Sequence, residues 1–110
     1  MIKQTRDELL KEKKSKTIKL IETIIENIYE FQYATTKDAY GSVTSIIKNL
    51  DTLEDYLIDH KDYEKDFKED IRYIRYLLWG TAYVRLDSRN SRIKDAIMYT
   101  GNLMEKLKYE

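Results

Sequence analysis

The residues of this sequence best suited to chemistry are large arginine and aromatic side chains in the stretch from Asp70 to Leu86. At about 100° per residue, helical spacing places five of them on one side of a single helix: Arg72, Arg75, Tyr76, Trp79 and Tyr83. Trp, Tyr and Arg are the residue types most enriched at the hot spots of protein interfaces. The chemistry that this pattern indicates is non-covalent recognition of a partner.

The opposite side of the same predicted helix carries an ordinary core stripe. Its members follow i, i+4, i+7, i+11 and i+14 spacing: Phe67, Ile71, Ile74, Leu78 and Thr81. Two interpretations of the aromatic side follow from this. Either it is an exposed interaction surface, or the helix lies in the middle of the fold and is covered on both sides. The pattern alone leaves both open.

The residue types needed for catalysis or metal binding are missing or badly spaced. There is no Cys, and the single His60 has Leu57 three positions before it, so no Glu-x-x-His metal motif is present. No Ser lies in a G-x-S-x-G elbow, and the three Gly are too far apart for a phosphate-binding loop. We therefore predict no enzymatic activity, no metal and no cofactor.

Basic residues concentrate near the end of the sequence and suggest an alternative partner. Residues 35–70 carry five bases and ten acids, whereas residues 71–110 carry eight bases and four acids. Arg side chains pair with phosphates and aromatic rings stack on bases, so an RNA- or DNA-backbone-binding role is the alternative. Its candidate phosphate contacts are Arg85, Arg89, Arg92 and Lys94. The formal net charge of zero argues against it.

Composition predicts one helical domain over residues 1–110. The 110 residues include no Pro and three Gly, 36% are charged and 42% are hydrophobic, which suits long helices with one core. Residues 1–16 read as a charged extension that projects or frays, without a signal-peptide pattern. The longest charge-free run around Trp79 is too short for a membrane span. We expect a cytoplasmic protein.

Apolar periodicity predicts an all-α, up-and-down antiparallel four-helix bundle. The expected helices are 5–33, 36–60, 62–86 and 91–108, with Thr35, Asp62 and either Asn90 or Ser91 as N-caps. Residues 87–91 form the clearest predicted loop. Short connections place each helix antiparallel to the one before it. One mid-stripe residue from each helix is expected in a shared buried cluster: Ile25, Leu50, Ile74 and Ile97.

Two resemblances to known families accompany this pattern. The run Asp70-Ile71-Arg72-Tyr73-Ile74-Arg75, followed by Trp79 and Ala82, resembles a helix of the small helical subunits of type III CRISPR interference complexes, which help to line the RNA–target channel. The Ala-Gly-Arg expected there reads Ala82-Tyr83-Val84. The size and four-helix layout are similar to immunity proteins against class II bacteriocins, an architectural likeness without a motif. Neither resemblance assigns site residues.

Together these observations predict a non-catalytic protein that binds another macromolecule, most readily a protein. An inhibitor or immunity factor, an adaptor and a small subunit of a larger complex all fit this description. Nucleic-acid binding through the Arg-rich segment is the alternative, and a homodimer is a further possibility for the Trp79 face.

Overall fold

The computed structural model describes residues 6–34, 36–79, 81 and 86–109, and nearly all of them are helical. The helices are α1 (Arg6–Gln32), α2 (Thr36–Leu57), α3 (Lys68–Trp79) and α4 (Leu86–Lys108), with a π-helical segment, Tyr63–Phe67, leading into α3. The predicted all-α four-helix bundle is confirmed. No helix in the described part of the chain is both long and apolar enough to cross a membrane.

The four helices form a closed ring in which each packs against two neighbours. The ring runs α1–α2–α3–α4, and α4 returns to pack on α1. Contacts across α3 and α4 show their opposite directions, because Lys106 binds Asp70 at 2.8 Å while Arg92 lies over the ring of Tyr76. The core thus receives one apolar stripe from every helix.

The stripe predicted for the third helix is confirmed: Phe67, Ile71, Ile74, Leu78 and Thr81 are all buried. The Thr81 hydroxyl donates a hydrogen bond to the carbonyl of Leu77, which satisfies this polar group inside the core. From α2, five apolar residues at helical spacing are also buried: Val43, Ile46, Leu50, Leu53 and Leu57.

The predicted four-residue cluster is correct for Leu50 and Ile74, but on α1 and α4 the predicted position is wrong by one residue. Ile25 and Ile97 are only partly buried and pack on the edge of the core. Their preceding neighbours, Ile24 and Ala96, occupy the fully buried positions. A stripe of adjacent apolar residues allows either phase, and the packing of neighbouring helices selects one.

The predicted boundary between the third and fourth helices is wrong. α3 ends at Trp79 rather than Leu86, and α4 begins at Leu86 rather than residue 91. The predicted loop, residues 87–91, is the first part of α4. Asp, Ser and Asn are weak helix formers, but tertiary contacts override such propensities.

Arg89 provides the tertiary contact that explains this early start. It is only 2% exposed, its guanidinium carbon lies 5.2 Å from the centre of the Phe31 ring, and its Nη1 donates a 3.0 Å hydrogen bond to the carbonyl of Ala34. Phe31 belongs to the last turn of α1, and Ala34 lies two residues beyond the end of this helix. The first turn of α4 is therefore fixed to the last turn of α1, so residues with poor helix propensity remain helical.

Replacing Arg89 with Ala should lower the free energy of unfolding by about 2–3 kcal/mol, because the partly buried Ala34 carbonyl loses its donor and Phe31 loses the stacked guanidinium. Urea unfolding followed by circular dichroism measures the loss. Lys94→Ala, at an exposed position of the same helix, is the control and should change stability by less than about 0.5 kcal/mol. Equal stability of the two variants would contradict this role of Arg89.

The connection between α2 and α3 also differs from its prediction. α2 ends at Leu57 instead of residue 60, and Asp62 lies at the N-cap position of the π-helical segment without a capping side-chain hydrogen bond. Instead, its backbone N–H donates a 3.0 Å hydrogen bond to Nδ1 of His60. The His60 ring meets the Phe67 ring edge-on at 5.0 Å. The predicted N-cap Thr35 lies outside the described residues.

Candidate functional site

A groove between α2 and α3 brings together most of the predicted recognition residues. It has a volume of about 400 Å³ and is lined by Ile47, Arg72, Arg75, Tyr76 and Trp79. We call it the Trp79 groove. Four of the five predicted partner-binding residues line it, and the fifth, Tyr83, lies outside the described residues.

The aromatic side chains of the Trp79 groove are open to solvent. Trp79 is 57% exposed and Tyr76 is 65% exposed. Of the two interpretations of this side of the helix, the structure has the exposed one. Large aromatic side chains contribute most when a partner removes them from water, so this exposure is the main feature of the surface.

Stacking contacts hold Tyr76 in place before any partner arrives. Its ring stacks on Tyr73 with centroids 6.1 Å apart and 25° between planes, and Tyr73 meets Tyr99 of α4 edge-on at 4.8 Å. On its other side, the guanidinium of Arg92 lies 5.9 Å from the Tyr76 ring centre. Such contacts reduce the side-chain entropy lost on binding and favour a preformed surface.

Arg75 lines the groove, but its guanidinium is already paired with carboxylates of the same protein. Its Nη2 lies 2.6 Å from Asp51 Oδ1, and its Nη1 lies 3.4 Å from Glu54 Oε2, so it joins α3 to α2. Burial lowers the pKa of Arg75, but the two carboxylate hydrogen bonds outweigh burial and the net pKa is raised. Arg75 remains charged, and its charge is balanced within the protein.

Arg72 has a different role because its side chain is 65% exposed. Its described partner is Glu69, at 3.6 Å on the same helix, where both side chains are largely in water. An exposed pair of this kind contributes little to stability. Arg72 can therefore exchange Glu69 for an acidic group of a partner at small cost.

Glu54 also accepts a 3.0 Å hydrogen bond from the hydroxyl of the buried Tyr63. Burial raises the pKa of Tyr63 above its ordinary value of 10.0, and the hydrogen bond and charge of Glu54 raise it further. The hydroxyl thus keeps its proton in the folded protein at a pH where the unfolded chain loses it. Stability is retained below about pH 10 and falls as the pH rises above it.

Tyr63→Phe should remove this alkaline loss of stability, since Phe has no proton to lose. Urea unfolding between about pH 8 and pH 11 measures the difference. Tyr33→Phe, at a side chain that is 82% exposed, should keep the slope of the wild type. An unchanged slope in Tyr63→Phe would show that Tyr63 does not cause the alkaline dependence.

The three predicted phosphate contacts that lie within the described residues do not share one exposed surface. Arg89 is buried and donates a hydrogen bond to the Ala34 carbonyl, so its guanidinium is not presented on the surface where a phosphate would bind. Arg92 is half-buried on Tyr76, Lys94 is exposed, and Arg85 lies outside the described residues. The Trp79 groove also has Asp51 and Glu69 beside its arginines, and their carboxylates repel phosphate.

No group of three or more His, Cys, Asp or Glu side chains that could hold a metal ion occurs among the described residues. His60 has instead the structural role given above, in the turn before α3. The absence of catalytic activity, cofactor and metal stays a prediction from the sequence.

Periodicity did not identify every residue of this surface. Ile46 and Ile47 both fit the apolar pattern of α2, but only Ile46 is fully buried, and Ile47 lines the groove. Tyr99 supports the groove indirectly through Tyr73. Two adjacent isoleucines on one helix cannot face the same direction, which is the signal that separates the roles of residues 46 and 47.

Comparison with known proteins gives no match: no family model, no characterised protein and no solved structure is significantly similar to this chain.

Proposed function

We propose that this protein is a non-catalytic binding module that recognises a protein partner through the Trp79 groove. The observation that carries the proposal is the exposure of Trp79 and Tyr76 beside a preformed apolar groove. An isolated exposed aromatic residue is common on protein surfaces, but two of them flanking a groove with an exposed Arg are typical of an interface.

The groove indicates what the partner segment contributes. Ile47 and Trp79 offer apolar surface on its two sides, so an apolar or aromatic side chain of the partner packs between them. Arg72 then pairs with an acidic group of the partner. An inhibitor, an adaptor and a small complex subunit all work by such docking, and the proposal includes the cytoplasmic location expected from the sequence.

A protein partner is better supported than nucleic acid. Of the arginines proposed to contact phosphate, Arg89 is buried, and in the groove Arg75 is balanced by Asp51 and Glu54. A nucleic-acid interface needs several basic groups free to neutralise phosphates. The groove is better suited to a segment with one anchor and one acidic group.

Site-specific photo-crosslinking in the native host tests the proposal. A crosslinking amino acid in place of Tyr76 should capture a protein that the same amino acid at Tyr29 does not. Tyr29 is a suitable control because it is 51% exposed on α1, away from the groove. The captured protein must then bind the purified wild type.

The salt dependence of oligonucleotide binding distinguishes a nucleic-acid partner from a protein partner. Sub-micromolar binding of unrelated oligonucleotides at 150 mM salt, with affinity falling steeply as salt increases, would overturn the protein-partner proposal in favour of nucleic acid. A melting temperature that rises with protein concentration, and loses this dependence on Trp79→Ala, would identify a second copy of the chain as the partner.

A further inference from the structure

The first turns of α1 extend beyond the end of the bundle while keeping the register of its core stripe. The buried residues of α1 follow one another at three- and four-residue intervals: Thr17, Ile21, Ile24, Ile28 and Phe31. Counting back from Thr17, the same spacing reaches Lys14 and then Leu10. We call residues 8–16 the overhang.

The spacing of α1 places Leu10 on the core stripe, but its side chain is not buried in the structure. It is 57% exposed, and from residue 8 onward Thr17 is the first buried residue of α1. α2 ends at Leu57, and this residue lies beside Thr17 in the pocket described below. No further turn of α2 is therefore present to pack on the overhang. The overhang is about 13 Å long, or two and a half helical turns. Elsewhere in this fold, a neighbouring helix covers each apolar stripe.

Beside the overhang lies a notch of about 480 Å³ that is lined by apolar and basic side chains. Its apolar surface is supplied by Leu10, Tyr56, Leu57 and Leu107. Four lysines also line the notch: Lys11, Lys13, Lys14 and Lys61. They outnumber its one carboxylate, Asp59. Among the described ion pairs, none involves these lysines.

From this geometry we propose that the notch binds an acidic amphipathic helix of a protein partner. The continued core register calls for a helix that packs apolar side chains on Leu10 and Tyr56. Because four lysines line the notch, the residues that flank the apolar side chains of this helix should be Glu or Asp. A second overhang is excluded as the occupant by charge, since residues 8–16 carry four lysines and two glutamates.

This second surface is independent of the Trp79 groove. The groove lies between α2 and α3 and contains no residue of α1, whereas the notch is built on α1, the end of α2 and the end of α4. Failure of one proposal therefore leaves the other intact.

A pair of designed peptides tests the notch directly. Both have 14 residues with Leu at heptad a and d positions, and one has Glu and the other Lys at all remaining positions. The purified protein should bind the Glu peptide and induce its helicity in circular dichroism. It should bind the Lys peptide at least about tenfold more weakly at low salt.

Charge reversal in the protein provides the matched control. Lys13→Glu with Lys14→Glu should invert the preference so that the Lys peptide binds more tightly. Leu10→Ala should weaken the Glu peptide without inverting the preference. Because these side chains are exposed or half-exposed, thermal melting of each variant should match the wild type.

Several results would overturn the proposal. These are no binding of the Glu peptide to the wild type, equal binding of both peptides, or a preference that Lys13→Glu with Lys14→Glu leaves unchanged. Binding of phosphatidylglycerol vesicles that is lost in this double variant, without peptide binding, would show that the lysines bind an anionic membrane surface instead.

Discussion

Replacing Trp79 with Ala is expected to weaken binding of the partner about thirtyfold, or about 2 kcal/mol, while the melting temperature stays almost constant. The indole is 57% exposed, so its removal leaves no cavity in the free protein, whereas the complex loses its largest apolar anchor. Titration calorimetry with the purified partner measures the first effect and scanning calorimetry measures the second.

Two control variants separate binding from stability. Leu78→Ala, at the residue before Trp79 and fully buried, should destabilise the fold by about 2–5 kcal/mol. Tyr29→Ala, at an exposed aromatic residue of α1, should change neither property. If Trp79→Ala destabilises the fold as much as Leu78→Ala does, Trp79 serves the core and the proposed interface is wrong.

Truncation of the core should separate the two fully buried members of the predicted cluster from the two at its edge. Leu50→Ala and Ile74→Ala should each cost about 2–5 kcal/mol of unfolding free energy, because both side chains are completely buried and leave cavities. Ile25→Ala and Ile97→Ala should cost less, since their sites are partly open and solvent fills the space.

Chemical denaturation of the four variants tests this order. Each loss should appear as a lower denaturant midpoint with an unchanged m-value. Losses below about 1 kcal/mol for both Leu50→Ala and Ile74→Ala would contradict the helix packing described above. A loss at Ile25 as large as that at Leu50 would place Ile25 in the interior instead of Ile24.

The sequence was most informative about which side of each helix faces the core. Along the predicted third helix, 62–86, five positions spaced at helical intervals are all buried, and the aromatic positions Tyr76 and Trp79 on the other side are exposed. Periodicity predicts that these two sets of side chains lie on opposite sides of the helix, because side-chain direction within one helix depends only on local geometry. It left open whether the aromatic side is exposed or covered. The four residues that α3 contributes to the Trp79 groove were therefore predicted, whereas Ile47 of α2 was not.

Features that depend on contacts between distant segments could not be predicted in this way. Arg75 was predicted as a partner-binding residue, but its partners Asp51 and Glu54 precede it by 24 and 21 residues. Likewise, the start of α4 depends on Arg89 reaching the end of α1. Neither pairing leaves a trace in local spacing, since only the packing of the helices brings these groups together.

The ring closure between α1 and α4 also sets an order of events during synthesis. Arg89 is 55 residues later in the chain than its acceptor, Ala34. At typical rates of translation, the ribosome needs about 3 to 11 s to add these residues. Throughout that interval the isoleucine-rich side of α1 lacks α4, and at the start of the interval it lacks α2 as well. A chaperone that recognises apolar helices has its best access to the nascent chain in these seconds.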